Sequence, residues 1–83
     1  MKLDNEIMDE ILEIDYVKNA AEKLEKANTK IGKIMRRVEL GKKFHLAAVS
    51  LLSDKGWSAK EIADALEVDE KYLRKWVFKN NIK

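Results

Sequence analysis

An all-α fold is what this sequence of 83 residues predicts, on three observations. Apolar residues recur at intervals of three and four through most of the chain, which is the period of one face of a helix. No alternation of period two is long enough to argue for a strand, and backbone punctuation is sparse, with three glycines and no proline. Hydrophobic residues make up 46% of the chain, which suffices for one small core and leaves little room for a deep substrate cavity.

Leu3, Ile7, Ile11, Ile14, Val17, Ala21 and Leu24 fall along one stripe and predict a long amphipathic helix from about Asp4 to Ala27. Asn28, Thr29 and Gly32 lower helix propensity and Thr29 suits an N-cap, so a break is expected near Asn28. Ile31, Ile34, Met35 and Val38 then resume the period, with Met8 and Met35 expected to fill gaps in the core. Gly41 reads as a helix stop, and Phe44, Ala47, Ala48, Leu51 and Leu52 form the inward face of a third helix, roughly Lys42 to Lys55. The chain divides on this reading into an N-terminal helical region, residues 1–40, and a C-terminal region, residues 41–83. The first either completes the core or pairs two copies, with pairing slightly favoured.

The richest stretch is KGWSAKEIADALEVDEKYLRKWV, from Lys55 to Val77. Gly56 suits the left-handed position that closes a helix. Ser58 and Glu61 have the spacing of a capping box, and Trp57 with Ile62 that of a hydrophobic staple. Ile62, Ala63 and Leu66 face inward on a helix too short to persist alone in water. Glu67, Val68 and Asp69 make a tight link with Val68 as its apolar plug. Asp69 then caps a helix to about Lys79 whose inward residues are Leu73, Trp76 and Val77 and whose outward ones include Phe78.

Two short helices joined by about three residues, with Ala63 at the crossing point, resemble the helix-turn-helix DNA-binding superfamily over Lys42 to Lys79. The IADALEVDEKYLRKW pattern looks like the variants found in transposases, resolvases and the small subunits of phage terminases. One departure is Glu67, where the family often has glycine, and a less sharply bent turn is expected there. The resemblance implies that the second helix of the pair enters the major groove of double-stranded DNA. It makes Glu70, Lys71, Arg74 and Lys75 candidate base readers, with Arg74 able to bond guanine twice and Glu70 read as the partner of Arg74 one turn away. Lys42, Lys43, Lys60 and Lys79 are its candidate phosphate contacts. Tyr72 is divided between packing and a phosphate contact.

Charge is uneven although the net value is only +2. Residues 1–27 carry eight acids against four lysines, whereas residues 28–56 carry seven bases against Glu39 and Asp54. With no cysteine and a single histidine, His45, the sequence offers no common metal site, no thiol chemistry and no disulfide, and no cofactor is expected. His45 lacks a catalytic constellation, so the chain reads as a non-enzyme and His45 as a boundary residue. No apolar run is long enough to span a bilayer and the N-terminus lacks the pattern of a secretory signal, so a cytoplasmic protein without membrane contact is expected.

The function expected is a small transcriptional regulator of a phage or other mobile element, binding DNA as a homodimer. The alternatives are a DNA-recognition subunit of a terminase or recombination complex, and a protein-interaction module acting as co-regulator or anti-repressor. In either case the partner would be another regulatory or packaging protein.

Overall fold

The computed structural model describes residues 3–78, without the side chains of Trp76, Val77 and Phe78. The placements expected for those three side chains and for Lys79 lie outside the described residues. Five α-helices follow in order: α1 Asn5–Leu12, α2 Asp15–Lys26, α3 Lys30–Asp54, α4 Ala59–Leu66 and α5 Glu70–Tyr72. The chain continues from α5 into a π-helical segment, Leu73–Phe78. The described residues contain no strand, so the fold is all-α.

The N-terminal stripe forms two helices where the sequence predicts one. Asp4 starts α1 by accepting the Ile7 N–H at 2.8 Å. Ile14 then takes an extended conformation (ψ 132°) between α1 and α2. Both halves of the stripe must reach the same core, because Ile11 and Val17 are each 0% exposed. A bend at Ile14 lets α1 and α2 pack separately against α3, which a straight helix cannot do. The lost backbone bonds are partly recovered by Ile14 N–H to Ile11 carbonyl (3.2 Å) and Lys18 N–H to Ile14 carbonyl (2.9 Å).

A break does occur at residues 27–29, where Thr29 caps α3 by accepting the Gly32 N–H at 2.9 Å. The expected stop at Gly41 does not: α3 runs through it for 25 residues, a rod of about 37 Å. One glycine inside a helix costs only about 1 kcal/mol, less than the backbone bonds and packing of a continuous rod return. The rod's C-terminal half carries the centre of the core. Ala47, Ala48, Val49 and Leu52 are buried there together with Ile11, Val17, Ile62, Ala63 and Leu73.

The turns that join α3 to α4 and α4 to α5 close by the same device. At the end of α3, Trp57 N–H reaches the Leu52 carbonyl and Gly56 N–H the Ser53 carbonyl, each at 3.0 Å, with Gly56 at φ 94°. At the end of α4, Val68 N–H reaches the Ala63 carbonyl (3.0 Å) and Glu67 N–H the Asp64 carbonyl (3.2 Å). These are paired Schellman bonds, and they require a left-handed residue at the turn. Glu67 supplies it at φ 59°, ψ 42°. The turn is therefore as tight as a glycine would make it, contrary to the more open link that the glutamate suggested. A side chain in this region is strained by ~1–2 kcal/mol, against ~0.5–1 kcal/mol of extra chain entropy for glycine. Glu67→Gly is expected to raise the free energy of unfolding by ~0.5–1 kcal/mol in urea titration, and a loss of stability would contradict this geometry.

Between these turns the expected capping box is complete. Ser58 Oγ accepts the Glu61 N–H at 3.2 Å, and Glu61 Oε1 accepts the Ser58 N–H at 2.8 Å. The Ser58 backbone bond, followed by the Ser58 hydroxyl, holds the Glu61 carboxyl below its ordinary value. Asp69 caps α5 by accepting the Lys71 N–H at 2.9 Å.

Candidate nucleic-acid interface

The C-terminal helix, α5 with its π-helical continuation, is anchored on its inner side by Leu73, which is 0% exposed within the core cluster. Its outer side carries charge, with Lys71, Arg74 and Lys75 all exposed. Beyond Tyr72 the winding widens to the π form, so the even α-helical spacing assumed from the sequence holds only for the first turn.

Glu70 and Arg74 are paired as their spacing suggests. Arg74 Nε donates to Glu70 Oε2 at 2.8 Å and its Nη2 lies 2.7 Å from the same oxygen. The Arg74 side chain is still 64% exposed, so one edge of the guanidinium is fixed while the rest faces solvent. Arg74 also borders a shallow groove with Ser53, Trp57 and Ala59, at the seam where α3 turns into α4. Trp57 itself is half-buried against the core cluster that contains Ile62.

Tyr72 points back to α3. Its hydroxyl lies 3.2 Å from His45 Nδ1, and the two rings meet edge to face with centroids 5.8 Å apart at 79°. His45 is thus a clasp between α3 and α5, a role invisible in the sequence because the two residues are 27 positions apart and neither carries a local motif. Burial lowers the His45 pKa from its ordinary 6.5. The neutral ring is the one the fold favours, so this contribution to stability is fully present above about pH 6.5 and is lost as pH falls below it toward the lowered folded value. The urea midpoint is expected to drop as pH is lowered below about 6.5, and His45→Gln to flatten that drop. An equally steep profile in the variant would assign the effect to other groups.

The remaining candidates are scattered. Lys60 is exposed on the first turn of α4 and Lys42 on α3, three residues before His45. Lys43 is half-buried, and its Nζ stands 5.9 Å from the centre of the Tyr16 ring, which commits it in part to holding α2 on α3. Lys71, Arg74, Lys75 and the Glu70 partner therefore form one patch, while Lys42, Lys43 and Lys60 come from other helices. Among the described residues no polar or charged side chain is fully buried and no group of three metal-ligating side chains gathers. No helix among them is long and apolar enough to cross a membrane. Comparison with family models, with curated proteins and with solved structures finds no match to the chain.

Proposed function

We propose that the chain binds double-stranded DNA through a helix-turn-helix formed by α4, the Glu67–Asp69 turn and the C-terminal helix, as a small regulator of a phage or other mobile element. The observation that carries this reading is the C-terminal helix itself: seated on the core by Leu73 and clasped by Tyr72, it offers Lys71, Arg74 and Lys75 to solvent. A positioned cationic helix of this kind is what major-groove reading requires. Arg74, oriented on one edge by Glu70, is the proposed reader of guanine. Lys71 and Lys75 are further candidate base readers beside it, and Lys60 and Lys42 supply the sequence-independent attraction to phosphates. Glu70 acts by orienting Arg74, and Tyr72 by fixing the helix, each without needing a contact of its own to DNA. The protein carries out no chemistry in this role.

Binding to a fluorescent duplex selected from a random library tests the proposal as salt is raised. Affinity should fall linearly on logarithmic axes, with a slope of about −0.9 for each phosphate neutralised. Affinity insensitive to salt, or a library from which nothing is retained, would overturn the proposal.

A further inference from the structure

We infer that the exposed apolar stripe on the N-terminal half of α3, with the groove beside it, docks an acidic amphipathic helix of another protein. Ile31, Ile34, Met35 and Val38 are 72%, 50%, 65% and 54% exposed, although Met35 reads as core in the sequence. Their spacing of three, one and three residues places them on one face of α3. The stripe from Leu3 to Leu24 is in contrast committed within the monomer, where Ile11, Val17 and Ala20 are buried.

Charge and shape select the occupant. Residues 30–43 hold six bases against one acid, Glu39, and every one of those bases except Lys43 is exposed. Glu39 is already neutralised by Arg36, whose Nη1 lies 3.0 Å from its Oε1. At about 100° per residue, Lys30 and Arg37 run along one edge of the stripe, and Lys42 follows one turn beyond Val38. A second copy would bring the same excess of bases to the contact, whereas a helix with Asp and Glu beside its apolar seam pairs with them. The groove, of about 380 Å³, is lined by Gly32, Met35, Arg36, Val38, Glu39 and Lys42. Gly32, Met35, Arg36 and Glu39 have the i, i+3, i+4, i+7 spacing of a socket for one side chain of a facing helix, and Met35, Val38, Glu39 and Lys42 repeat it. Gly32 keeps the first socket open; a Cβ there would meet Thr29 Oγ1 at 2.7 Å, so the cap of α3 holds this position as glycine. A flat lipid surface would leave the groove unfilled, and the stripe carries none of the Trp, Phe or Leu that anchor helices in a bilayer interface.

This goes beyond the DNA-binding reading and does not rest on it, because Lys71, Arg74 and Lys75 do not border the groove. The test is fluorescence anisotropy of a labelled three-heptad peptide, with isoleucine and leucine on its apolar seam and glutamate on both flanks, titrated with the full chain. Saturable binding with a dissociation constant on the order of 10–100 µM is expected, about 10-fold tighter than for the same peptide with lysine in place of glutamate. Ile31→Gln and Met35→Gln keep the charge of the surface and should each weaken the acidic peptide by about 3- to 10-fold at unchanged far-ultraviolet circular dichroism. Arg37→Glu should weaken the acidic peptide by about 2- to 5-fold and strengthen the lysine peptide. No binding at ~0.5 mM, equal binding of the two peptides, or binding indifferent to both Ile31→Gln and Met35→Gln overturns the docking site. So does a chain that is dimeric in sedimentation equilibrium until Met35→Gln is introduced, which would assign the stripe to a second copy. A chain that ignores the peptide and sediments with phosphatidylserine vesicles until Met35→Gln is introduced overturns it too, in favour of a lipid surface. A chain that takes the acidic peptide through Ile31 and Met35 but ignores duplex DNA upholds the docking site and removes the DNA-binding reading, so the two fail separately.

Discussion

Leu73→Ala is expected to lower the free energy of unfolding by ~2–5 kcal/mol, the largest effect of any single substitution considered for this chain. Leu73 is 0% exposed and is the buried anchor by which the described part of the C-terminal helix joins the core of Ile62, Ala63, Val49 and Leu52. Its removal leaves a cavity that the helix can close only by shifting, and the helix is short, with three α-helical residues before the π segment. A domain of this size has ~5–15 kcal/mol in total, so the variant should show a much lower urea midpoint by circular dichroism. Leu12→Ala is the matched control. Leu12 is 42% exposed on α1, and its truncation should change stability by no more than ~0.5 kcal/mol. Equal losses in the two variants would mean that the C-terminal helix is not seated where the structure places it.

Arg74→Ala is expected to cost ~1–3 kcal/mol in affinity for a selected duplex and to relax preference at one base pair, with little effect on folding. The separation follows from exposure. The Glu70–Arg74 pair is 36% and 64% exposed in its side chains, and surface pairs of this kind contribute at most ~1 kcal/mol to stability. Lost affinity can then be attributed to the missing contact and not to unfolding. Lys60→Ala should weaken all duplexes alike, because a phosphate contact carries no sequence information. Anisotropy titrations against the selected site and a scrambled duplex distinguish the two patterns. Unchanged affinity in both variants would remove α4 and the C-terminal helix from the interface.

The features legible in the sequence are those decided by a few neighbouring residues. The cap of Thr29, the box of Ser58 and Glu61, the left-handed Gly56, the cap of Asp69 and the Glu70–Arg74 pair each depend on contacts within four positions, and each is present. What local spacing misjudged was decided by tertiary packing. Ile14 continues a perfect helical period yet bends the chain, because Ile11 and Val17 must both reach α3. Gly41 resembles a terminus but is carried inside a helix held along its length. Met35 has the spacing of a core residue and no partner to bury it among the described residues. The His45–Tyr72 clasp joins elements 27 positions apart, beyond any periodicity. At Glu67 the residue type pointed one way and the backbone bonds of the Schellman turn, which need a left-handed residue, went the other.

The most direct test of the proposed interface is a titration of the ¹⁵N-labelled chain with a selected duplex, followed by amide chemical shifts. The largest changes are expected at Lys71, Arg74 and Lys75, with smaller ones at Lys60, and with the backbone of α1 unaffected. Changes confined to α1 and α2, or to Ile31–Val38 with the C-terminal helix silent, would contradict the claim that this helix is the surface that meets DNA.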